Sequence, residues 1–303
     1  MGISFLTILC CFLVTGYSQA VDRWAQVVNW DGVSHWSRYM ITQPGYQGPN
    51  SLPVPRIGNG SSDSSFAFAV TGNLHFSSGD NTQNIAVYAN YSLVKDMVSI
   101  DLLWMPYEHY VMSQDIKDKR HVFTPFYNSH STIGDIHFNT TFQLLNNWRK
   151  SIHLALRAGY RFPSGSGFGA ARYTDGPGYH FDLSIGKPFK NSPLKWISMI
   201  GFYVWQIESD SHNQNDAFLF GSGFEWNKRS LKLQTSIAGY IGYLKEKGDK
   251  PVVFRANMEK RISQTSLVFG FQQGLNDFDY SSVEIGAKYN FRWKNKILAK
   301  QQM

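Results

Sequence analysis

Two runs of sequence, STIGDIHFNTTFQLL (residues 131–145) and SIHLALRAGYR (residues 151–161), decide how the chain is read. In the second, Ile152, Leu154, Leu156, Ala158 and Tyr160 share one face of a two-residue period. His153, Ala155, Arg157, Gly159 and Arg161 share the other. In the first, Ile136, Phe138, Phe142 and Leu144 oppose Asp135, His137, Asn139 and Thr141, and Asn146-Asn147-Trp148 supplies the connection. A period of two marks a β-strand whose faces meet different surroundings. A run of about ten residues is what a tilted strand needs to cross a bilayer core.

Working outward, the same alternation starts at Phe66 and continues almost to the end. Phe66, Phe68, Val70, Leu74 and Phe76 share a face, and Val283, Ile285, Ala287, Tyr289, Phe291 and Trp293 share another, opposite Glu284, Gly286, Lys288, Asn290 and Arg292. Only 197–207 is apolar on both faces. Some twelve strands are expected, an even number. Short turns near Lys95-Asp96, 146–150, 227–229 and 261–264 alternate with longer links, above all 105–130 and 162–178. That asymmetry is the one outer-membrane barrels show, with the long loops outside the cell. The expected fold is therefore all-β, a transmembrane antiparallel up-and-down β-barrel over residues 66–293, with a polar tail at 294–303. Residues 21–65 stand apart: Trp24, Trp30 and Trp36 precede Pro44, Pro49, Pro53 and Pro55, and proline cannot donate to a ladder. This segment is expected to be ordered and to pack against or inside the barrel as a plug, with a short helix near 33–39.

The 303 residues carry 16% aromatics, 26 glycines and a formal net charge of +7, with a mean hydropathy of −0.30. No run approaches the roughly 20 apolar residues of a spanning helix. The basic residues form no cluster, which argues against a nucleic-acid partner and leaves lipopolysaccharide, acidic lipid or anionic solutes. Cys10 and Cys11 are the only cysteines, inside an apolar segment that ends at Ser18-Gln19-Ala20. The segment reads as a signal peptide, residues 1–20, cleaved after Ala20. Leu9 before Cys10 does not fit a lipoprotein site. The expected location is the outer membrane of a Gram-negative cell. The expected partners are outer-membrane lipids, lipopolysaccharide, the barrel-assembly machinery and a small solute.

A soluble barrel would satisfy the same alternation with its greasy face inward. Against that stand the strand lengths and the aromatics near strand ends, which a membrane-interface girdle would supply: Trp104, Tyr160, Trp205, Trp226, Tyr289 and Trp293. The lumen-lining candidates are Asp135, His137, His153, Arg157, Arg161, His180 and Asp182, of mixed charge. No catalytic residue, metal site or cofactor is indicated. The run Ser164-Gly165-Ser166-Gly167-Phe168-Gly169 lacks the Lys-Ser/Thr and the helix of a phosphate-binding loop. A lipid-hydrolysing His and Ser would need the lipid face, and His75, His137, His153 and His180 fall on the polar one.

Gly134-Asp135-Ile136, the strand through Leu145, Ala155–Tyr160, Arg161-Phe162-Pro163-Ser164-Gly165, and Asp182 to Gly186 with Lys187 form a series. It resembles the central part of outer-membrane proteins associated with the phenol meta-degradation pathway. Members show Gly-Asp before one strand and Pro-Thr-Gly at the end of the next; here Ser164 replaces the Thr. The likeness covers residues 131–189. It implies a transporter-like barrel and uptake of aromatic or other hydrophobic compounds. The expected function is a channel or facilitator for small solutes. The alternatives are an enzyme acting on lipid or lipopolysaccharide and a structural barrel without transport.

Overall fold

The computed structural model describes residues 21–123, 129–147, 152–207 and 212–291. The expected signal peptide, Trp148, Arg292, Trp293 and the tail lie outside the described residues. The strands are β1 (Phe66–Ser77), β2 (Asp80–Val94), β3 (Val98–Met112), β4 (Ser129–Thr132), β5 (Ile136–Asn147), β6 (Ile152–Phe162), β7 (Gly178–Pro188), β8 (Leu194–Gln206), β9 (Gln214–Lys228), β10 (Leu231–Gly242), β11 (Val252–Ile262), β12 (Thr265–Asn276) and β13 (Ser281–Phe291). Every pairing is antiparallel, and β4 and β5 share one position beside β3. The last strand returns to the first, Phe66 opposite Phe291, and β2 pairs with β3. The result is a closed barrel of twelve strand positions with no free edge.

The sequence periodicity places Ile133–Leu145 in one strand, but the structure breaks it at 133–135. Asp135 turns aside there to accept hydrogen bonds from Arg161 Nη1 and from the Gly165 amide. A Cβ at Gly134 would lie 2.6 Å from the Tyr173 hydroxyl, so the backbone passes where only glycine fits. A register shift between Gln143 and Leu145 leaves both Leu144 and Leu145 exposed.

The two faces separate cleanly. On β1, Phe68, Val70, Leu74 and Phe76 are exposed on the outside, while Ala67, Ala69, Thr71, Asn73 and His75 are buried within. Leu156, Tyr160, Phe181, Phe202, Ile237, Phe269 and Ile285 are likewise exposed on the outside. An apolar outer belt around a polar interior is the reverse of a soluble barrel and suits a hydrocarbon surround. The longest connections, 113–135 and 163–177, fall at one end, together with the links at 207–213 and 243–251, the four-residue link between β12 and β13 and a two-residue turn between β1 and β2, shorter than the link expected at 77–83 because Ser77 already pairs with Asp80. The start of β1, the end of β13 and the turns at 95–97, 229–230 and 263–264 fall at the other end.

Leu156→Arg is expected to cost about 2–4 kcal/mol of folding in lipid near the midplane. Thr141→Arg, on the inward row one strand away, is expected to leave assembly intact. Heat-modifiable migration after refolding into lipid vesicles measures both; assembly that tolerates Leu156→Arg and fails with Thr141→Arg would mean the faces are reversed.

Candidate functional site

The candidate site is the lumen, and residues 41–65 occupy it. A segment without ladder partners must find them elsewhere, because an unpaired buried backbone group is costly. Pro53 and Pro55 remove two donors, so the segment chiefly needs donors for its carbonyls, and the wall supplies them. Trp205 Nε1 donates to Thr42 O at 2.8 Å and Tyr240 Oη to Leu52 O at 2.8 Å. Arg255 donates to Val54 O at 2.6 Å and Pro55 O at 3.2 Å. Arg157 Nη2 reaches Arg56 O at 2.8 Å, Gln143 Nε2 reaches Gly60 O at 2.9 Å, and Asn90 Nδ2 reaches Ser65 O at 2.9 Å.

Packing fixes the segment to one side. Leu52, Val54 and Ile57 join a core with Ile197, Met199, Tyr203, Trp205, Ala217, Leu219, Ala238, Tyr240 and Val253 from β8–β11, together with Phe278 and Tyr280 beside β13. This explains why 197–207 is apolar on both faces: its outer row meets the surround and its inner row meets the plug. Trp205 is therefore not a girdle residue. It is fully buried and packs at tilted angles against Tyr203 and Tyr240. Tyr160 and Tyr289 are exposed on the outer face. The register puts Trp104 and Trp226 on the same outer row, across from Val87 and Leu233. Gly60, at φ +78°, sits so close to the wall that a Cβ would lie 2.4 Å from the Gly186 amide and 2.6 Å from the His153 carbonyl.

Beneath the long loops the lumen is sealed by buried charge. Arg172 donates to Glu108 Oε1 at 2.9 Å and to Asp80 Oδ2 and Thr82 Oγ1 at 2.8 and 2.7 Å. Its guanidinium lies 4.5 Å from the Tyr110 ring centroid. Arg120 binds Asp80 and Tyr280. Tyr173 and the plug's Asn50 donate to Glu108 Oε2 at 2.8 and 2.7 Å. Two arginines meet two carboxylates, so the lattice is neutral, and every member is essentially buried. The sequence reading missed it, because Asp80, Glu108, Arg120 and Arg172 come from four segments with no common spacing.

The seven lumen candidates all face inward. Arg157 pairs with Asp182 at 2.7 Å, and Arg161 pairs with Asp135. His180 lies 3.7 Å from the same Asp182 oxygen. His137 stands across from Arg161, and the backbone of His153 lies against Gly60. The Gly-Asp and Pro-Ser-Gly motifs thus serve as a clasp: Asp135 accepts from Gly165, and Ser164 Oγ accepts from the Ile136 amide. His75 Nε2 donates to Asn84 Oδ1 while its Nδ1 meets Ser282 Oγ, both at 2.7 Å. This Ser-His-Asn line is buried on the inward face and does not border the open cavity, so it ties β13, β1 and β2 together. No group of three or more His, Cys, Asp or Glu among the described residues is arranged to hold a metal.

Below the core, toward the short turns, a cavity of about 560 Å³ remains. It is bounded by plug residues 57–65 and by polar side chains such as Tyr88, Asp101, Thr141 and Ser184. Asp63 and Asp101 lie on the β2–β3 side; Arg229, Lys232, Arg261 and Lys288 lie on the β9–β13 side, near Glu225 and Glu259. Lys232 and Lys288 are paired with these two glutamates, which leaves the far wall net positive.

No family model matches the sequence, and no curated protein matches it. Among solved structures, the translocator domain of autotransporter NalP from Neisseria meningitidis is 8% identical over 76% of this chain and 90% of its own, with a TM-score of 0.42. The transport unit of the autotransporter AIDA-I from Escherichia coli is 9% identical over 80% and 95%, at 0.45. The CymD monoaromatic hydrocarbon channel is 6% identical over 77% and 90%, at 0.39. Likeness at this level says nothing about activity.

Tyr240→Phe strands the Leu52 carbonyl and is expected to cost about 1–3 kcal/mol; Arg255→Met strands two carbonyls and is expected to cost more. Both should lower the unfolding midpoint in denaturant titrations. Trp226→Phe, at an outer position, should leave it nearly unchanged.

Proposed function

We propose that the protein is a Gram-negative outer-membrane barrel that acts as a channel or facilitator for small solutes, closed in this state by residues 41–65. The observation that carries this reading is the cavity of about 560 Å³ open toward the short-turn end and blocked above by the plug core and the buried charge lattice. A barrel needed only for anchorage could fill that volume with side chains, as small barrels do. Opposed charges across a low-dielectric lumen set up a transverse field that orders a polar solute during passage. The lining favours polar over apolar solutes. The uptake of aromatic or other hydrophobic compounds implied by the resemblance of residues 131–189 is a second, competing form of the proposal, which this polar lining does not favour. Its partners would be the surrounding lipid and lipopolysaccharide and the machinery that assembles barrels.

Planar-bilayer conductance tests the proposal. The full protein is expected to be closed or to open rarely, and a version lacking residues 21–60 to conduct steadily. Gly60→Ala, which forces the plug off the wall at one point, is expected to raise the open fraction over that of the full protein. Silence in all three would reject transport and favour a structural barrel.

A further inference from the structure

Residues 41–65 cross the lumen once, in order and without doubling back. Ser65 meets Asn90 and Ser62 meets Ser99, close to the β2–β3 turn. Gly60 then meets Gln143, Arg56 meets Arg157 at mid-strand, Val54 meets Arg255, and Leu52 meets Tyr240 near the top of β10. Gly48 donates to Ala171 and Gly45 to Gly248, both in long loops. Some 17 residues separate Gly45 from Ser62. At about 3.3 Å each they reach well beyond a hydrocarbon core of about 30 Å.

Residues 21–40 therefore sit at the long-loop mouth, opposite the end where β1 begins. Their contacts hold them there. Residues 21–28 are helical, and Arg23 forms an ion pair with Asp118 of a short helix, Gln114–Lys119. That hydrogen bond holds the Asp118 carboxyl below the usual carboxylate range. Trp24 Nε1 donates to His121 O at 3.0 Å, and Trp36 stacks on Phe123 with ring centroids 4.8 Å apart. Val33, by contrast, is 89% exposed.

We infer that the lumen segment is a tether that delivers residues 21–40 to the outer surface of the cell and holds them there as a displayed segment. The inference rests on the outer-membrane reading, because that reading makes the long-loop end the outside. It does not need transport. The plug core of Leu52, Val54 and Ile57 then has a second role: it fixes the crossing so that the displayed segment cannot slip back.

Single cysteines in a Cys10→Ser/Cys11→Ser background test this on intact cells with a membrane-impermeant maleimide. Lys247→Cys marks the long-loop end and Met97→Cys the short-turn end, and both native side chains are exposed. Val33→Cys is expected to label in intact cells to the same extent as Lys247→Cys, and Met97→Cys only after permeabilisation. A haemagglutinin epitope placed between Ala20 and Val21 should bind antibody on intact cells. If Lys247→Cys labels while Val33→Cys and the epitope stay hidden, the tether is overturned and the outer-membrane reading stands. If Lys247→Cys is itself hidden and Met97→Cys labels, the orientation is wrong and both fall.

Discussion

The carbonyl groups of residues 42–65 must be satisfied inside a closed barrel, and the rest of the structure follows from that need. Strands bond to strands, so the ladder has nothing to spare for a chain passing through its centre. The donors come from inward side chains: an indole, a phenol, two guanidinium groups and two amides, Arg255 serving two carbonyls of the segment and the others one each. Prolines 53 and 55 lower the demand by removing amides where the segment runs against β10 and β11. A polar inner row that would otherwise need water meets a backbone that would otherwise need partners.

Hydrophobic packing breaks the symmetry of this arrangement. Leu52, Val54 and Ile57 bury against β8–β11, and the opposite side of the lumen keeps Tyr88, Asp101, Asn139 and Arg157 only half-buried. The plug is therefore eccentric. It leaves open volume toward the short turns while the Asp80, Glu108, Arg120 and Arg172 lattice closes the long-loop side. Removing one member of such a lattice leaves an uncompensated buried charge, which is strongly destabilising. Closure of the long-loop mouth is thus part of the fold's stability and not a loose lid.

Some errors of sequence reading share one cause. Trp205 looks like a girdle residue because it ends an apolar strand, yet its indole donates to Thr42 O; on a strand apolar on both faces, alternation cannot say which face is inside. Asp135 looks like an inward strand residue, and it does point inward, but as the clasp that interrupts the strand to hold Gly165. In both cases the deciding partner is far away in sequence. The motif 164–169, glycine-rich without a phosphate-binding signature, finds its explanation in the same clasp.

Local alternation by itself determined the strands, their approximate number, the sorting of most side chains into two faces, and the two longest connections between strands. These depend on residue-to-residue periodicity and on lengths of about ten residues, which a linear chain carries openly. The density of Trp and Pro in residues 21–65 also marked that segment as something other than strand. Only the tertiary structure decided that the segment crosses the whole lumen, which wall it favours, and that four distant charged residues meet beneath the loops. Those outcomes depend on closure: once β1 pairs with β13, residues far apart in sequence are brought into one lumen, where Arg120 and Arg172 meet Asp80 and Glu108.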